Sequence, residues 1–438
     1  MLLTLQIYYL VISTLIFLYG IYSSRNASHS FGLGLAANIF PVMFIPYLDM
    51  DIARVAGMPL AYLPIIAAGF SLAVRNRLRV PKAYSGLVIL SLVFCIYAFI
   101  TTVFIGGMSV TNFAYWFAWP LNLAIFFSAA SFFSRVSPDT AGRVIHATVF
   151  VLVAGCVVGL FRYASGIADD ANFMPVMNRN GTVVLIAMTF PLLLYLHSEH
   201  YISKKVLILS ITCVVLALLL TFSRSGLIGV MSGVFIYYMR MSLRGLLKTA
   251  TAVAIVLVLS LTGIADSSIE RLERFSVTAR MIMNNEQFDT SMNDYNRVML
   301  LTGAVATAKE EFWFGTGLGL TNYRRTYHRV SNHFPDSKAH NFYLSYFAEL
   351  GIFGFALLLT MCFLIYRTLP PLHSRFRAFR VSFLVTAIMM TMNEYILLPE
   401  LWFFYGLLSG VSISSARHLA ELHYKPQPLK AWENANAH

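Results

Sequence analysis

The chain has 438 residues, 58% hydrophobic and only 12% charged, with a mean hydropathy of +0.68. Soluble domains carry about 25% charged residues, so a water-soluble globular fold is excluded; runs such as Tyr84 to Ile105, apolar on every face, exclude a transmembrane β-barrel with its alternating strands. The formal charge of +12 is no nucleic-acid footprint, because residues 265–341 hold nine basic and nine acidic residues while 18 of the 23 other basic residues fall in six short segments between apolar runs, as positive-inside loops require.

A hydrocarbon core of about 30 Å needs about 20 apolar residues per helix. Read in chain order, that pattern predicts spans over residues 2–22, 57–74, 84–106, 112–133, 145–165, 182–197, 206–222, 225–239, 247–265, 342–366, 380–398 and 401–416, twelve in all. The first lacks a basic flank and a small-residue cleavage site, so it reads as a retained helix and not a signal peptide. Phe31 to Leu48 is also apolar, but Pro41 and Pro46 interrupt it. It crosses, re-enters or lies in the interface; twelve crossings put both termini in the cytoplasm, and thirteen move the N-terminus out. Cys95, Cys156, Cys213 and Cys362 sit inside apolar runs without metal-ligand spacing and read as small core residues.

The sequence therefore predicts an all-α polytopic membrane protein. Residues 1–264 form an N-terminal bundle, 265–341 a large external segment, 342–417 the C-terminal spans and 418–438 a polar cytoplasmic tail. In the external segment, Ile269, Leu272, Phe275 and Ala279 recur at helical spacing, and so do Val298, Leu301, Val305, Ala308 and Phe312. Two amphipathic helices over the bundle are expected, the second capped by Asn293 or Asp294 and ended by Gly315, Gly317 and Gly319.

Few basic residues lie outside the cytoplasmic segments and the external loop. Arg54, Arg162, Arg179 and Arg224 are at or near predicted external helix ends. Arg224, in a tight external turn Thr221-Phe222-Ser223-Arg224-Ser225-Gly226, runs against the positive-inside bias, which an anionic partner or snorkelling to lipid headgroups would explain. Arg179, just before a helix, has the guanidinium fork that holds phosphate, with helix-start N–H groups beside it; a purely structural helix-start arginine fits equally. His340 stands at the mouth of the next span, as a structural residue or a proton acceptor; nearby arginines would disfavour its imidazolium. Glu349, expected buried in that span, needs a partner.

Two further patterns invite nucleotide or metal readings. Gly315-Thr316-Gly317-Leu318-Gly319 has the glycines of a phosphate loop but not its GK[ST] ending. Asp49-Met50-Asp51 has two loop carboxylates that could hold Mg²⁺ or Mn²⁺, although solvated acids are the commoner outcome. Neither a metal nor a cofactor is expected.

Three motifs together resemble the O-antigen ligase and polymerase superfamily. They are Ser223-Arg224-Ser225-Gly226 after an apolar helix, Arg297 opening a helix that runs to Phe314-Gly315-Thr316-Gly317, and His340-Asn341-Phe342-Tyr343-Leu344 followed by Glu349-Leu350-Gly351-Ile352-Phe353-Gly354. The resemblance covers roughly residues 178–366. It implies a metal-independent glycosyltransferase of the bacterial inner membrane, with a helical cap and active site facing the periplasm. Its donor would be a glycan on undecaprenyl pyrophosphate, and the acceptor of a ligase the lipid A-core oligosaccharide. By resemblance His340 acts near the acceptor hydroxyl, and Arg224 and Arg297, with Arg179, hold the diphosphate, while Asn341, Tyr343 and Glu349 support the histidine. A polymerase would use the same donor; a lipid-linked oligosaccharide flippase or transporter is the alternative from a different class, disfavoured by the gathering of unusual charges at one face.

Overall fold

The structure, a computed structural model, describes residues 2–44, 54–55, 58–77, 79–166, 179–221, 224–238, 293–330, 338–392, 394 and 396–423. Its helices are α1 (Leu2–Tyr22), α2 (Ser24–Phe44), α3 (Leu63–Asn76), α4 (Ser85–Ile100), α5 (Val110–Phe133), α6 (Pro138–Ala164), α7 (Arg179–Ser198), α8 (Lys204–Leu220), α9 (Arg224–Tyr238), α10 (Asn293–Glu310), α11 (Leu320–Val330), α12 (Phe342–Thr368), α13 (Arg377–Met389) and α14 (Pro399–His423). The only strands among the described residues are a two-residue antiparallel pairing of Arg54–Val55 with Met58–Pro59. Among the described residues, five helical stretches are long and apolar enough to cross a membrane: Thr4–Tyr22, Lys82–Gly106, Val110–Phe133, Pro138–Ala164 and Phe342–Thr368. Shorter apolar helices lie at Leu60–Asn76, Val183–Ser198 and Ser225–Tyr238.

Helices that are apolar all round belong inside a bundle or against lipid, and both kinds occur. In α7 every residue from Val183 to Leu193 is buried, and in α14 every residue from Leu401 to Ser412. On α4, by contrast, Ile89, Leu92, Val93 and Ile96 are exposed, as a lipid-facing helix requires. Close approach of α14 to α5 is set by Gly406 and Gly410, one turn apart. A Cβ at Gly406 would overlap the Phe126 carbonyl, and one at Gly410 would come within 2.6 Å of the Ala130 carbonyl, which is how small-xxx-small pairs bring membrane helices into backbone contact. Beside this seam Phe31 of α2 stacks on Phe403, centroids 3.9 Å apart.

The basic segments gather at one end of the bundle. Arg75 donates to Ser24 Oγ (3.3 Å), joining the end of α3 to the α1–α2 turn. Arg135 donates to Asn76 Oδ1 (2.6 Å) and to the Arg79 carbonyl (2.7 Å), joining the ends of α5 and α3. The Tyr201 hydroxyl donates to Asp139 Oδ1 (3.3 Å), and Arg375 stands 4.0 Å from Glu199. Since α2 starts at this basic end, it returns along α1 and α3 as one helix from Ser24 through Pro41 to Phe44. Counted as a crossing, it puts Leu2 on the side opposite the basic segments.

Three expectations need correction. Residues 380–398 do not form one span: α13 ends at Met389, and the Met390 carbonyl accepts from Phe342 N–H (2.9 Å) while Thr391 and Met392 turn back on Ile388 and Met389. The pre-proline Leu398 then disfavours helix before Pro399. The helix expected after Asn293 exists and Ala308 of its expected apolar face is buried, but most of that face is not. Leu300, Ala304, Thr307 and Ala308 face inward, with Gly303 under the Tyr327 ring, whereas Leu301, Val305 and Phe312 are exposed. Small residues win the inward face because α11 and α12 approach closely there. Finally, α10 stops at Glu310 and a turn over 311–314 separates it from Gly315. The expected span 247–265 and the helix over Ile269 to Ala279 lie outside the described residues.

Candidate functional site

At the end opposite the basic segments, α12 carries a kink built from glycines. Gly351 adopts φ 62°, ψ −176° inside the helix, a conformation that essentially only glycine takes at low cost. Into the gap docks the glycine-rich loop: Thr316 N–H donates to the Ala348 carbonyl (3.0 Å), Gly317 N–H to the Glu349 carbonyl (2.9 Å) and Ile352 N–H to the Phe312 carbonyl (2.8 Å). The loop's glycines at 315, 317 and 319 have φ of 74°, 80° and 110°. A Cβ at Gly315 would overlap the Glu349 backbone, and one at Gly319 the Asn112 amide. The loop continues under α4, which ends in a π-helical turn over Thr101–Gly106; Leu318 N–H donates to Thr102 Oγ1 (3.0 Å) and Asn112 Nδ2 to Asn322 Oδ1 (2.8 Å). With the N–H groups of residues 316–319 spent on protein oxygens and residues 315–319 buried, this stretch is a docking clasp and no phosphate cradle.

Glu349 has the partner its burial demands. Lys338 Nζ lies 2.7 Å from Glu349 Oε1, with the side chains 7% and 0% exposed, and Gly319 N–H donates to the same oxygen (2.9 Å). Glu349 Oε2 is buried without a hydrogen bond among the described residues. The ammonium also lies 4.5 Å from the Tyr115 ring centroid and 5.5 Å from that of Tyr346, within cation–π range. A second carboxylate faces it: Glu394, in the loop after α13, accepts from Ser345 Oγ. Burial raises the Glu394 carboxyl, Lys338 and Ser345 oppose that rise and Glu349 adds to it, leaving it at about 7. Burial alone would lower the Lys338 ammonium, but Glu349 and Glu394 outweigh it and keep it charged.

His340 is held two residues from this pair, half-buried and in the left-handed region at φ 50°. A non-glycine residue there costs about 1 kcal/mol or more and persists only where its surroundings fix it. They do: Ala339 is buried in a cluster with Ala304 and Ala308 of α10 and Tyr323 and Tyr327 of α11, and Asn341 caps α12 by accepting from Leu344 N–H (3.0 Å). Phe342 N–H and the Tyr343 hydroxyl bond to the Met390 and Ala387 carbonyls (2.9 and 2.8 Å). Asn341 and Tyr343 thus anchor the turn that presents His340.

Arg179 and Arg224 open neighbouring helices in near register. Gly226, two residues after Arg224, packs under Val183, four residues after Arg179. One turn on, Gly229 packs against Met389, whose neighbour Met390 holds Phe342. The starts of α7 and α9 therefore share an end of the bundle with the His340 turn. Arg297 lies in the first turns of α10, whose Met299 carbonyl accepts from Tyr327 (2.9 Å). Arg162, in the last turn of α6, is 3% exposed, and its guanidinium has no hydrogen bond among the described residues. Ser223 and the pair Asp49 and Asp51 lie outside the described residues.

Residues 206–359 match the family model described as O-antigen ligase. Over this stretch the chain is similar to the O-antigen ligase family. No curated protein matches the chain. The matched stretch takes in most of α8, all of α9 to α11 and most of α12, and with them Arg224, Arg297, His340, Asn341, Tyr343 and Glu349; Arg179 precedes it. Members of this family are membrane enzymes of the glycosyltransferase type acting on lipid-linked glycan. Sequence reasoning missed two residues of the buried cluster beside His340, Lys338 inside the matched stretch and Glu394 beyond it. Lys338 went unremarked beside His340, and Glu394 was hidden inside an apparent span; the signals were a carboxylate in that apolar run and a lysine eleven residues before a buried glutamate.

Proposed function

We propose that the protein transfers a glycan from undecaprenyl pyrophosphate to the lipid A-core oligosaccharide at the periplasmic face of the inner membrane, as an O-antigen ligase. The observation carrying this reading is the family match over residues 206–359, whose polar motif residues lie at the end opposite the cytoplasmic-type basic segments. In the reaction the bond from the sugar anomeric carbon to the diphosphate oxygen breaks, and the electron pair leaves with undecaprenyl diphosphate. The acceptor hydroxyl oxygen forms the new glycosidic bond and gives its proton to neutral His340 as general base. Arg179, Arg224 and Arg297 carry the charge that grows on the leaving diphosphate, because preorganised cations act most strongly where charge develops. The Lys338–Glu349 pair neutralises itself, so it keeps the histidine turn in place without competing for the anion.

The test is acceptor choice. Purified protein given undecaprenyl-pyrophosphate-linked glycan should extend lipopolysaccharide core lacking O-antigen. Extension of a second lipid-linked glycan instead would make it a polymerase, and glycan movement across a vesicle bilayer with no new glycosidic bond would make it a transporter.

A further inference from the structure

At the basic end of the bundle, Arg75, Arg77, Arg79 and Arg135 surround an open cleft of about 210 Å³ with Asn76 at its base. None of the four has an acidic partner among the described residues, where the ion pairs are Arg143–Asp139, Arg329–Glu311, Lys338–Glu349 and Arg375–Glu199. Positive-inside bias accounts for basic residues at this end. It does not account for the way the cleft is constructed.

The floor is fixed by buried polar contacts. Asn76 is 8% exposed; its side-chain amide donates to Ser131 Oγ and its Oδ1 accepts from Arg135. The Arg79 carbonyl accepts from both Ser131 Oγ and Arg135. Arg75 rests on Ser24 Oγ. Arg135 and Arg75 thereby hold the walls, whereas the guanidinium groups of Arg77 and Arg79 have no hydrogen bond among the described residues. Arg77 also caps α3 in the left-handed region, at φ 51° and ψ 36°. Glycine is the usual residue there, and an arginine keeps the position at a conformational cost. Below the cleft, α3 turns an apolar face outward: Phe70 and Val74, one turn apart, are 47% and 56% exposed, and Val80 beyond the cleft is 37% exposed.

We propose that this cleft binds the phosphate of an anionic phospholipid, with Arg77 and Arg79 as the contacting guanidinium groups and the acyl chains along Phe70 and Val74 of α3. Guanidinium forks match phosphate oxygens, and basic pockets between helices take anionic headgroups from the adjoining leaflet. The apolar strip distinguishes a lipid from free phosphate, which has no use for it. This site lies at the opposite end of the molecule from His340 and does not depend on the transfer reaction.

Native mass spectrometry of the full chain in detergent tests the assignment, with dioleoyl phosphatidylglycerol, dioleoyl phosphatidylethanolamine and inorganic phosphate as probes. Phosphatidylglycerol should be retained in preference to phosphatidylethanolamine. The double variant Arg77→Gly with Arg79→Gln should lose that retention by about tenfold, and it stays folded because glycine suits the left-handed cap. Arg77→Lys with Arg79→Lys should recover part of it, since charge remains and the fork is lost. Undiminished retention by the double variant would overturn the proposal. So would displacement of the lipid by equimolar inorganic phosphate, which would give the cleft to a free anion.

Discussion

Lys338 and Glu349 form a buried ion pair at 2.7 Å across the turn that carries His340. Removing one member of such a pair leaves an uncompensated buried charge and costs about 3–5 kcal/mol, whereas apolar replacement of both can be close to neutral. Glu349→Leu and Lys338→Met should therefore each lower the thermal unfolding temperature in detergent by several degrees. The double variant should melt above either single one. Additive losses would show that the two side chains do not act as a pair.

The carboxyl of Glu394, at about 7 against an ordinary 4.5, makes stability pH-dependent. The folded chain holds this proton more tightly than the unfolded chain, so the contribution is full below about pH 4.5 and is lost as pH rises through about 7. Lys338, Glu349, Tyr323 and Tyr346 face the same cluster and are the same in the parent and the Glu394→Gln variant. Glu394→Gln should flatten the fall in melting temperature between pH 5 and pH 7.5. A slope equal to that of the parent would assign the pH dependence to another group.

The clasp predicts a contrast among glycines. Gly315→Ala and Gly351→Ala combine positive φ with overlap onto backbone atoms, a type of strain that costs more than 1 kcal/mol. Gly86→Ala has open space and a helical backbone, so it should be neutral or gain up to about 1 kcal/mol. Melting curves of the three variants check the ranking. Equal losses at Gly86 and Gly315 would contradict the docking of the loop.

Periodicity and hydropathy are enough to find most of the described apolar helices, because a 20-residue apolar run has few other uses, but they leave the proline-interrupted α2 undecided. They failed where helices end on tertiary contacts. The stop of α13 depends on Phe342 taking the Met390 carbonyl, a residue 48 positions away in the chain, which no local pattern encodes. The inward face of α10 was misread for a related reason: Leu301 and Val305 are the greasier residues, but close approach of Tyr327 favours Gly303 and Ala304. At the site, His340, Asn341 and Glu349 were legible as motif letters. Lys338 and Glu394 gain meaning only when the fold brings them to Glu349.

If arginines neutralise the leaving diphosphate, transfer should survive excess EDTA, and Asp49→Ala with Asp51→Ala should keep most activity. Arg224→Ala and Arg297→Ala should weaken donor binding as well as turnover, because charge-assisted bonds to diphosphate exist before reaction and strengthen during it. Activity lost to EDTA and restored by Mg²⁺ would transfer that role to a metal.

The most direct measurement is single-turnover glycan transfer by purified His340→Ala protein, with donor binding followed in parallel on the same folded sample. Loss of the general base should slow transfer by about 10² to 10⁴-fold and leave donor affinity within a few-fold of the parent. Full-rate transfer by the folded variant would contradict the proton-accepting role of His340 on which the mechanism rests.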